Sequence, residues 1–394
     1  MPKTDYHIVK RRYLNKARIA FSDPDMLQEF ALNFKQRDFY DPNTFPLRHS
    51  ISKLFHLTEK LSFRQNATQI FRDILEGLVY HNSDKGKIIN HVLFATDIDH
   101  KVMTDMAEIV LSPKNVRIIP IAHLLLKNSS LSRNNITNYF VEEAIKSKAT
   151  IILIPHVNWV NGAILDVLTI CKALKVHNSK IITIVDGAQA LGNIETEIDN
   201  HICNLNIDFY VGCGQKWMGC PLPIGFARVS DKFIERKKFS KFIFTCDYFS
   251  EFAGNEGFLD QPALDTYNIH FSILFDTVVK KFQDGRGEIK KHHYSDIIKN
   301  AKPLVEIIKG SGMFELLNSP ENMQSGIITL TGEYELLQKL NTKLLELYFS
   351  HTLDKIRLPK DKKLRFDFIR FSSPMDTFNS NDLDKIESTF KNLR

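Results

Sequence analysis

Residues 150–192, TIILIPHVNWVNGAILDVLTICKALKVHNSKIITIVDGAQALG, contain the pattern that decides the fold. Two short apolar runs, TIILIPH and KIITIVD, flank a segment in which apolar residues recur at helical spacing. A short run that is apolar throughout is typical of a strand covered on both faces, and a helix between two such strands lets them lie parallel. The stretch therefore predicts a strand, a helix over 162–175 and a second strand, joined as one βαβ unit.

The same alternation extends outward in both directions. The predicted helices are 67–80, 101–111 and 138–147, and the predicted strands are 89–96, 115–121, 207–212 and 223–229. Repeated βαβ units build a mainly parallel sheet between two layers of helices. In such a sheet ligands bind beyond the carboxyl ends of the strands, so the segments that follow the strands are the place to look for a site.

The pattern changes after about residue 260. A long connecting helix over 264–283 is followed by predicted helices at 295–310, 333–349 and 380–393 and predicted strands at 325–332 and 364–373. This mixture is typical of a smaller α+β domain. The predicted organisation is an N-terminal arm, or part of the small domain, over 1–45, a large domain over 46–285 and a small C-terminal domain over 286–394.

The composition and charge of the chain limit the classes of protein to which it can belong. The 394 residues carry a net charge of +6, spread along the chain rather than concentrated in a basic stripe, which argues against nucleic acid as a partner. No apolar run is long enough to cross a membrane. The five cysteines form neither a disulfide framework nor a zinc motif, so no metal is expected. These features predict a soluble protein of a reducing compartment, the cytoplasm.

The stretch GCGQKWMGC, 212–220, places Lys216 among glycines, cysteines and a tryptophan, where lysine is unusual. Three other polar features also lie at the ends of predicted elements. They are Asp186 at the end of a strand, His100 after another strand, and Asn66, Ala67 and Thr68 at the start of a helix. Taken singly, each has an ordinary explanation as a turn aspartate, a loop lysine, a structural histidine or a helix cap. Their joint placement at strand ends indicates a ligand site.

Together these features resemble the class V aminotransferase family of pyridoxal-phosphate enzymes, which includes cysteine desulfurases and isopenicillin N epimerase-like proteins. The resemblance runs from about residue 60 to the C-terminus and is strongest in PHVNWVNGAILDV, DGAQALGNI and DFYVGCGQKWMGCPLPIGF. It implies the aspartate aminotransferase-like fold of these enzymes, with a large α/β domain and a small C-terminal domain.

The resemblance also implies roles for the residues of the large domain. Lys216 would hold the cofactor as a Schiff base, which is the task of an amine toward an aldehyde. Asp186 would pair with the ring nitrogen, Gln189 would hydrogen-bond the ring oxygen, and His100 would stack on the ring. The helix start at Asn66, Ala67 and Thr68 would bind the phosphate.

On the substrate side, the resemblance makes Arg370 the residue that binds a substrate carboxylate, with Arg365 as its rival. Arginine suits this role because its guanidinium fork matches a carboxylate. Trp159 and Asn161, in HVNWVNG, would line the substrate site. Asn255, in FAGNEGF, lies where a neighbouring subunit commonly reaches the phosphate, which implies a homodimer with a shared active site.

The chain departs from the pattern of the family, or of its desulfurases, in three respects. Cys213 and Gln215 replace a serine or threonine and a histidine near the lysine, which predicts looser cofactor binding unless another group compensates. Desulfurases need a mobile cysteine in the C-terminal half to take up sulfur, and no cysteine follows Cys246. Trp159 stands where desulfurases often have asparagine, and epimerase-like relatives look more like this chain.

The sequence therefore predicts a pyridoxal-phosphate enzyme acting on an amino acid or amine, with transamination as the leading reaction. A carbon–sulfur or carbon–nitrogen lyase and an epimerase remain alternatives, and a persulfide-forming desulfurase is disfavoured. From another class of function, a non-catalytic scaffold of the same fold is the alternative. The retention of Asp186, Gln189 and Lys216 argues against it, since a decayed site has no reason to keep all three.

Overall fold

The computed structural model describes residues 12–13, 61–83, 91–127, 131–194, 206–220, 223–230, 232–233, 278, 293–317, 323–347, 349–350, 352–357, 365–372 and 380–393. Within these residues the strands form a seven-stranded sheet, a four-stranded sheet and a short two-stranded pair. The pair joins β1 (Arg12–Tyr13) to β11 (Phe349–Ser350) in parallel. It brings part of the predicted N-terminal arm next to the predicted small domain, whose boundaries remain predictions.

The seven-stranded sheet has the order β2-β8-β7-β6-β5-β3-β4. Its strands are β2 (Leu61–Arg64), β3 (Leu93–Thr96), β4 (Val116–Ile119), β5 (Ile151–Pro155), β6 (Ile182–Asp186), β7 (Phe209–Cys213) and β8 (Gly225–Val229). Neighbours from β4 to β7 are parallel, whereas β8 is antiparallel to both β7 and β2. The predicted mainly parallel sheet is confirmed, and β8 is the reversed strand within it.

Helices cover both faces of this sheet because its central strands are apolar on both sides. These helices are α1 (Ala67–Ser83), α2 (Lys101–Leu111), α3 (Ala122–Lys127), α4 (Arg133–Lys146) and α5 (Val167–His177). Apolar residues of α1 and α2 pack on one face, and those of α3, α4 and α5 pack on the other. Every residue of β5 is buried as a result.

The four-stranded sheet is built from the C-terminal part of the chain, in the order β12-β13-β10-β9, with antiparallel neighbours. Its strands are β9 (Glu315–Leu316), β10 (Ile327–Thr331), β12 (Thr352–Arg357) and β13 (Arg365–Ser372). The helices α6 (His293–Ser311), α7 (Tyr334–Glu346) and α8 (Ser380–Lys391) share a separate apolar core with it. The expected α+β architecture of this part is confirmed.

The two larger sheets are joined by hydrogen bonds between buried groups. The side chain of Asn193 accepts the N–H of Gly326 at 2.8 Å, and the N–H of Ile164 is donated to the carbonyl of Met323 at 2.8 Å. The hydroxyl of Thr329 in β10 donates to the carbonyl of Val160. The loop that follows β5 therefore lies directly against the second sheet.

Several elements differ from the sequence-based predictions: α4 begins at Arg133 rather than at 138, and α3 has no counterpart among the predicted helices. The helix predicted over 162–175 begins only at Val167, because Gly162 adopts φ = 77° in a turn and Asp166 caps the helix by accepting the N–H of Thr169. The segment from Thr352 to Arg357, expected to connect two strands, is itself the strand β12. Pairing with β13 stabilises this strand, which the charged sequence of the segment does not predict.

Candidate active site

The candidate site lies where the parallel strands end. His100 follows β3, Trp159 follows β5, Asp186 is the last residue of β6 and Lys216 follows β7. Because these strands are parallel, their carboxyl ends lie at the same edge of the sheet. The topology thus brings together side chains that are more than a hundred residues apart in the sequence.

His100 stands at the start of α2 and acts as its N-cap. Its Nδ1 accepts the N–H of Val102 at 3.4 Å, so the proton of the neutral ring is on Nε2. Part of the residue faces solvent, yet the protein packed around the ring lowers the pKa of His100, chiefly through desolvation and then through the positive charge of Lys216. The charge of Asp186 acts on His100 in the opposite direction. The ring is therefore neutral and close to both charged groups.

Asp186 and Lys216 are both half-buried, unlike the fully buried residues before them in β6 and β7. The Oδ1 atom of Asp186 accepts the N–H of Ala188 at 2.9 Å, which fixes the carboxylate over the turn after β6. Lys216 lies in the tight turn after β7, where its carbonyl accepts the N–H of Gly219. This turn needs glycine because Gly219 has φ = 75°.

Gln189 is buried beside this turn. Its Oε1 accepts the indole N–H of Trp217 at 2.9 Å, and its backbone carbonyl accepts the side-chain N–H of Asn193 at 2.9 Å. Trp217 directly follows the lysine and is one of the largest fully buried side chains. The glutamine is thus held by the segment that carries Lys216.

The start of α1 lies against β8 at the same edge. Asn66 caps the helix by accepting the N–H of Gln69 through Oδ1 at 2.8 Å. The N–H groups of Ala67 and Thr68 have no acceptor within the helix, as is general for a first turn. A Cβ atom at Gly225 would lie 2.3 Å from the carbonyl carbon of Asn66, so only glycine allows this approach.

The two residues that depart from the family pattern make contacts with the protein backbone. The thiol of Cys213 donates to the carbonyl of Ala188 at 3.6 Å, and burial raises its pKa to about 11. Gln215 accepts the N–H of Ile224 through Oε1 at 3.3 Å. Both side chains tie the lysine turn to its neighbours, and their roles at the cofactor remain predictions.

Arg370 reaches the site from β13 of the second sheet. Its Nη1 donates to the carbonyl of Trp159 at 2.7 Å, and its guanidinium carbon lies 5.6 Å from the centre of the Trp159 ring. The same indole lies 5.4 Å from the ring of His100 and 6.1 Å from that of Phe368. Trp159 therefore forms a bridge between the histidine and the arginine. The side chain of Arg365 and all of Asn255 lie outside the described residues.

Asn161 sits deeper than its neighbour Trp159. Its side chain donates to the carbonyl of Leu125 at 2.8 Å and accepts the N–H of Ala163 at 3.2 Å. Both bonds are buried and both serve the backbone of this part of the fold. A role in substrate binding stays a prediction for this residue.

Asp99 is a residue near the site that the sequence did not single out. Its Oδ2 accepts the N–H of Thr96 at 2.6 Å and the hydroxyl of Thr96 at 2.8 Å, and its Oδ1 is buried with no hydrogen bond among the described residues. Burial raises its pKa to about 7, and the charges of Asp186 and Asp97 act in the same direction. The only sequence signal is the pair of acids in TDIDH, which also fits an ordinary loop.

Comparison with known sequences identifies one family. A sequence profile of the family described as "Aminotransferase class-V" matches residues 47–344, about three quarters of the chain. The isopenicillin N epimerase of Streptomyces clavuligerus is 30% identical over 87 residues, which cover 22% of this chain and 20% of that protein. The matched stretch therefore spans about a fifth of the epimerase.

Solved structures share the fold over nearly the whole chain. A NifS-like protein superposes with a TM-score of 0.70 at 14% identity, covering 97% of this chain and 98% of the other. The cystine C–S lyase C-DES, in complex with its product cysteine persulfide, gives a TM-score of 0.70 at 15% identity over 97% of both chains. An aspartate aminotransferase of Thermus thermophilus gives 0.62 at 12% identity, covering 97% of this chain and 98% of the other. These likenesses confirm the expected fold, and at such identities they show the fold alone.

Proposed function

The chain belongs to the aminotransferase class-V family of pyridoxal-phosphate enzymes, and on that premise we propose that it acts on an amino acid through Lys216. One observation supports this most directly. The charges that act on the neutral ring of His100 include Lys216 and Asp186 from the large sheet and Arg370 from the second sheet. An amine, a carboxylate and a guanidinium are thus close enough to one imidazole ring to act on its charge.

The residues present fit pyridoxal phosphate. Glycine at position 225 lets the first turn of α1 lie against β8, which leaves the N–H groups of Ala67 and Thr68 for an outside anion. The carboxylate of Asp186 and the ring of His100 lie near one another, as a cationic ring nitrogen and an aromatic face require. Lys216 is half-buried and provides the primary amine.

When bound, pyridoxal phosphate supplies an aldehyde that condenses with amines and a ring that withdraws electrons from the amino-bearing carbon. Lys216 would carry the cofactor and, once exchanged for the substrate amine, move a proton at the substrate Cα. Asp186, fixed by the N–H of Ala188, would keep the ring nitrogen protonated. His100 would cover the ring with its neutral imidazole, whose Nε2 carries the proton.

The substrate carboxylate would bind Arg370. Its Nη1 donates to the carbonyl of Trp159, which fixes the position of the guanidinium. The indole of Trp159 packs against both the arginine and His100. An α-amino acid bound in this way would use Arg370 for its carboxylate and Lys216 for the chemistry at its amino-bearing carbon.

Transamination is the reaction we propose, because it needs a single proton donor and acceptor and Lys216 provides both. An epimerase or a lyase is the second candidate. The 30% identity to an isopenicillin N epimerase and the tryptophan at position 159 favour it. A desulfurase that forms a persulfide is disfavoured, since the described cysteines 171, 213 and 220 are buried. A homodimer with Asn255 at a shared site remains a prediction from the sequence.

Borohydride reduction tests the proposal. The protein incubated with pyridoxal phosphate should show a visible absorption band, and reduction followed by peptide mapping should place the cofactor on Lys216. The Lys216→Ala variant should lose the trapped cofactor and all turnover while its melting temperature stays within a few degrees. As a control, Lys101→Ala removes an exposed lysine at the start of α2 and should change neither.

Turnover of Lys216→Ala at the wild-type rate, or cofactor trapped on another lysine, would refute the assignment. The reaction type follows from products in deuterated water. A 2-oxo acid that forms only with an added amino acceptor indicates transamination. Loss of chirality without a 2-oxo acid indicates an epimerase, and release of sulfide or ammonia indicates a lyase.

A further inference from the structure

The hydrogen bond between Trp217 and Gln189 fixes which end of the glutamine amide faces which way. An indole N–H donates and never accepts, so the atom that it meets at 2.9 Å must be Oε1 of the amide. The Nε2 group then lies in the same amide plane on the other side of the Cγ–Cδ bond, and points away from the indole. Both side chains are at least 95% buried, so water does not compete for this orientation.

We propose that Trp217 is a positioning residue that sets the orientation of Gln189, so that the amide presents a donor rather than an acceptor to the oxygen on the cofactor ring. This inference rests on the proposed function, because it assumes that the cofactor occupies the space beside Lys216. A donor stabilises the negative charge of that oxygen, whereas an amide oxygen in the same place would repel it. Glutamine alone does not decide between these two orientations, and the indole does.

Further contacts hold the tryptophan itself. A Cβ atom at Gly326 would lie 3.0 Å from Cη2 of Trp217, so the small residue at 326 makes room for the indole. A Cβ atom at Gly192, which has φ = 78°, would lie 3.1 Å from the carbonyl carbon of Trp217. Asn193 binds both the carbonyl of Gln189 and the N–H of Gly326. Residues of the turn after β6 and the residue before β10 therefore pack close to Trp217.

The consequence is spectroscopic. The visible absorption of the lysine-bound cofactor depends on pH. The pH at which half of the cofactor has changed its absorption, here called the midpoint, is lower when hydrogen-bond donors contact the ring oxygen. Trp217→Phe keeps a buried aromatic ring but removes the N–H, so the amide loses its fixed orientation. We expect the midpoint to rise by about one pH unit, which corresponds to the loss of roughly one hydrogen bond. The titratable groups around the proposed cofactor site, Asp186, Lys216 and His100, are unchanged in this variant.

A double-mutant cycle separates positioning from packing. Gln189→Glu keeps an acceptor for the indole but removes the amide donor, so it should raise the midpoint in the same direction. If Trp217 acts through Gln189, adding Trp217→Phe to Gln189→Glu should raise the midpoint no further. Tyr139→Phe serves as the control, because it removes an aromatic hydrogen bond, 3.2 Å long, to the carbonyl of Pro120 from α4, an element that carries none of the candidate site residues. That control should leave the midpoint where it is in the wild type.

Each outcome decides a different point. Wild-type protein with no visible band on Lys216 would refute the proposed function itself. Two results would refute the positioning role of Trp217 and leave the proposed function intact. One is a visible band in Trp217→Phe with the wild-type midpoint, and the other is additive shifts of the midpoint in the double variant. If Trp217→Phe does not fold, benzothienylalanine at position 217 has the same shape without the N–H and makes the same measurement possible.

Discussion

Asp99 shows how one residue near the site responds to its surroundings. A carboxylate is normally exposed or paired with a cation, but here the two nearby charges that act on it are the carboxylates of Asp186 and Asp97. Burial makes its charged form costly, so its pKa rises from 3.8 to about 7. The two bonds from Thr96 lower that pKa but do not outweigh burial.

The pKa of Asp99 predicts a pH-dependent stability. The folded protein binds this proton more tightly than the unfolded chain, so the free energy of unfolding falls as pH rises from about 4 to about 7. Asp99→Asn keeps an acceptor for Thr96 and removes the charge. The variant should gain up to about 4 kcal/mol relative to wild type at pH 8 and little at pH 4. Urea unfolding of both proteins at pH 4, 6 and 8 measures the difference.

An exposed carboxylate provides the comparison for this prediction. Asp105 on α2 pairs with Lys101 at the surface, and Asp105→Asn should shift the free energy of unfolding by less than about 1 kcal/mol at every pH. If the advantage of Asp99→Asn is the same at pH 4 and pH 8, the carboxyl of Asp99 does not titrate as described.

At the scale of an element, the positions of the candidate site residues depend more on where the helices begin than on the middle of each helix. His100 caps α2 and lies in the site at the same time, and Asn66 both caps α1 and begins the candidate phosphate site. Asp166 is the N-cap of α5, so the helix begins after the turn that carries Trp159. Each cap therefore sets where a functional side chain leaves its element.

Gly225 in β8 determines the position of the first turn of α1. In Gly225→Ala the new Cβ would meet the backbone of Asn66 and Ala67 at 2.3 to 2.6 Å, so the helix start must move away. We expect the free energy of unfolding to fall by about 1–3 kcal/mol. We also expect the affinity for pyridoxal phosphate to fall at least roughly tenfold, since the phosphate loses well-placed N–H donors. Denaturant unfolding and an absorbance titration with the cofactor measure the two effects.

Gly310 in α6 is the matched control, because a Cβ atom there would meet nothing within 4 Å. Gly310→Ala should leave cofactor affinity unchanged and raise stability by up to about 1 kcal/mol, as alanine favours a helix over glycine. If Gly225→Ala and Gly310→Ala bind pyridoxal phosphate with the same affinity, the start of α1 does not hold the phosphate.

At the scale of the whole molecule, the site depends on the joint between the two sheets. Arg370 comes from the second sheet, whereas Lys216, Asp186 and His100 come from the first. Trp159 and the turn after β6 contact both sheets. A change in this joint therefore moves the arginine relative to the lysine.

Asn193 is the residue through which that joint is best tested. Asn193→Ala leaves the buried N–H of Gly326 without its acceptor and the carbonyl of Gln189 without its side-chain donor. The free energy of unfolding should fall by about 2–4 kcal/mol, since each lost buried bond costs roughly 1–2 kcal/mol. Asn178→Ala, which removes an exposed turn bond to Lys180, should cost less than about 1 kcal/mol. Equal losses in the two variants, measured by urea unfolding, would contradict a structural role for the joint.

Local patterns were enough to predict many elements. Helix α2 has the predicted bounds, and β6 ends at Asp186 as its apolar run indicates. These features depend on neighbouring residues, since apolar spacing selects a helix or a strand within a few residues of each position. The mainly parallel sheet and the family follow from the same local information, because the order of the elements limits the possible topologies.

The sequence by itself therefore determined the fold class, the family and the residues that gather at the strand ends. Only the tertiary structure decided the reversed direction of β8, the strand β12, the burial of Asp99 and the orientation of the Gln189 amide by Trp217. The physical reason is that each of these depends on a partner distant in the sequence. A strand's direction, a carboxyl's desolvation and an amide's orientation are set by what packs against them, and no local pattern encodes that partner.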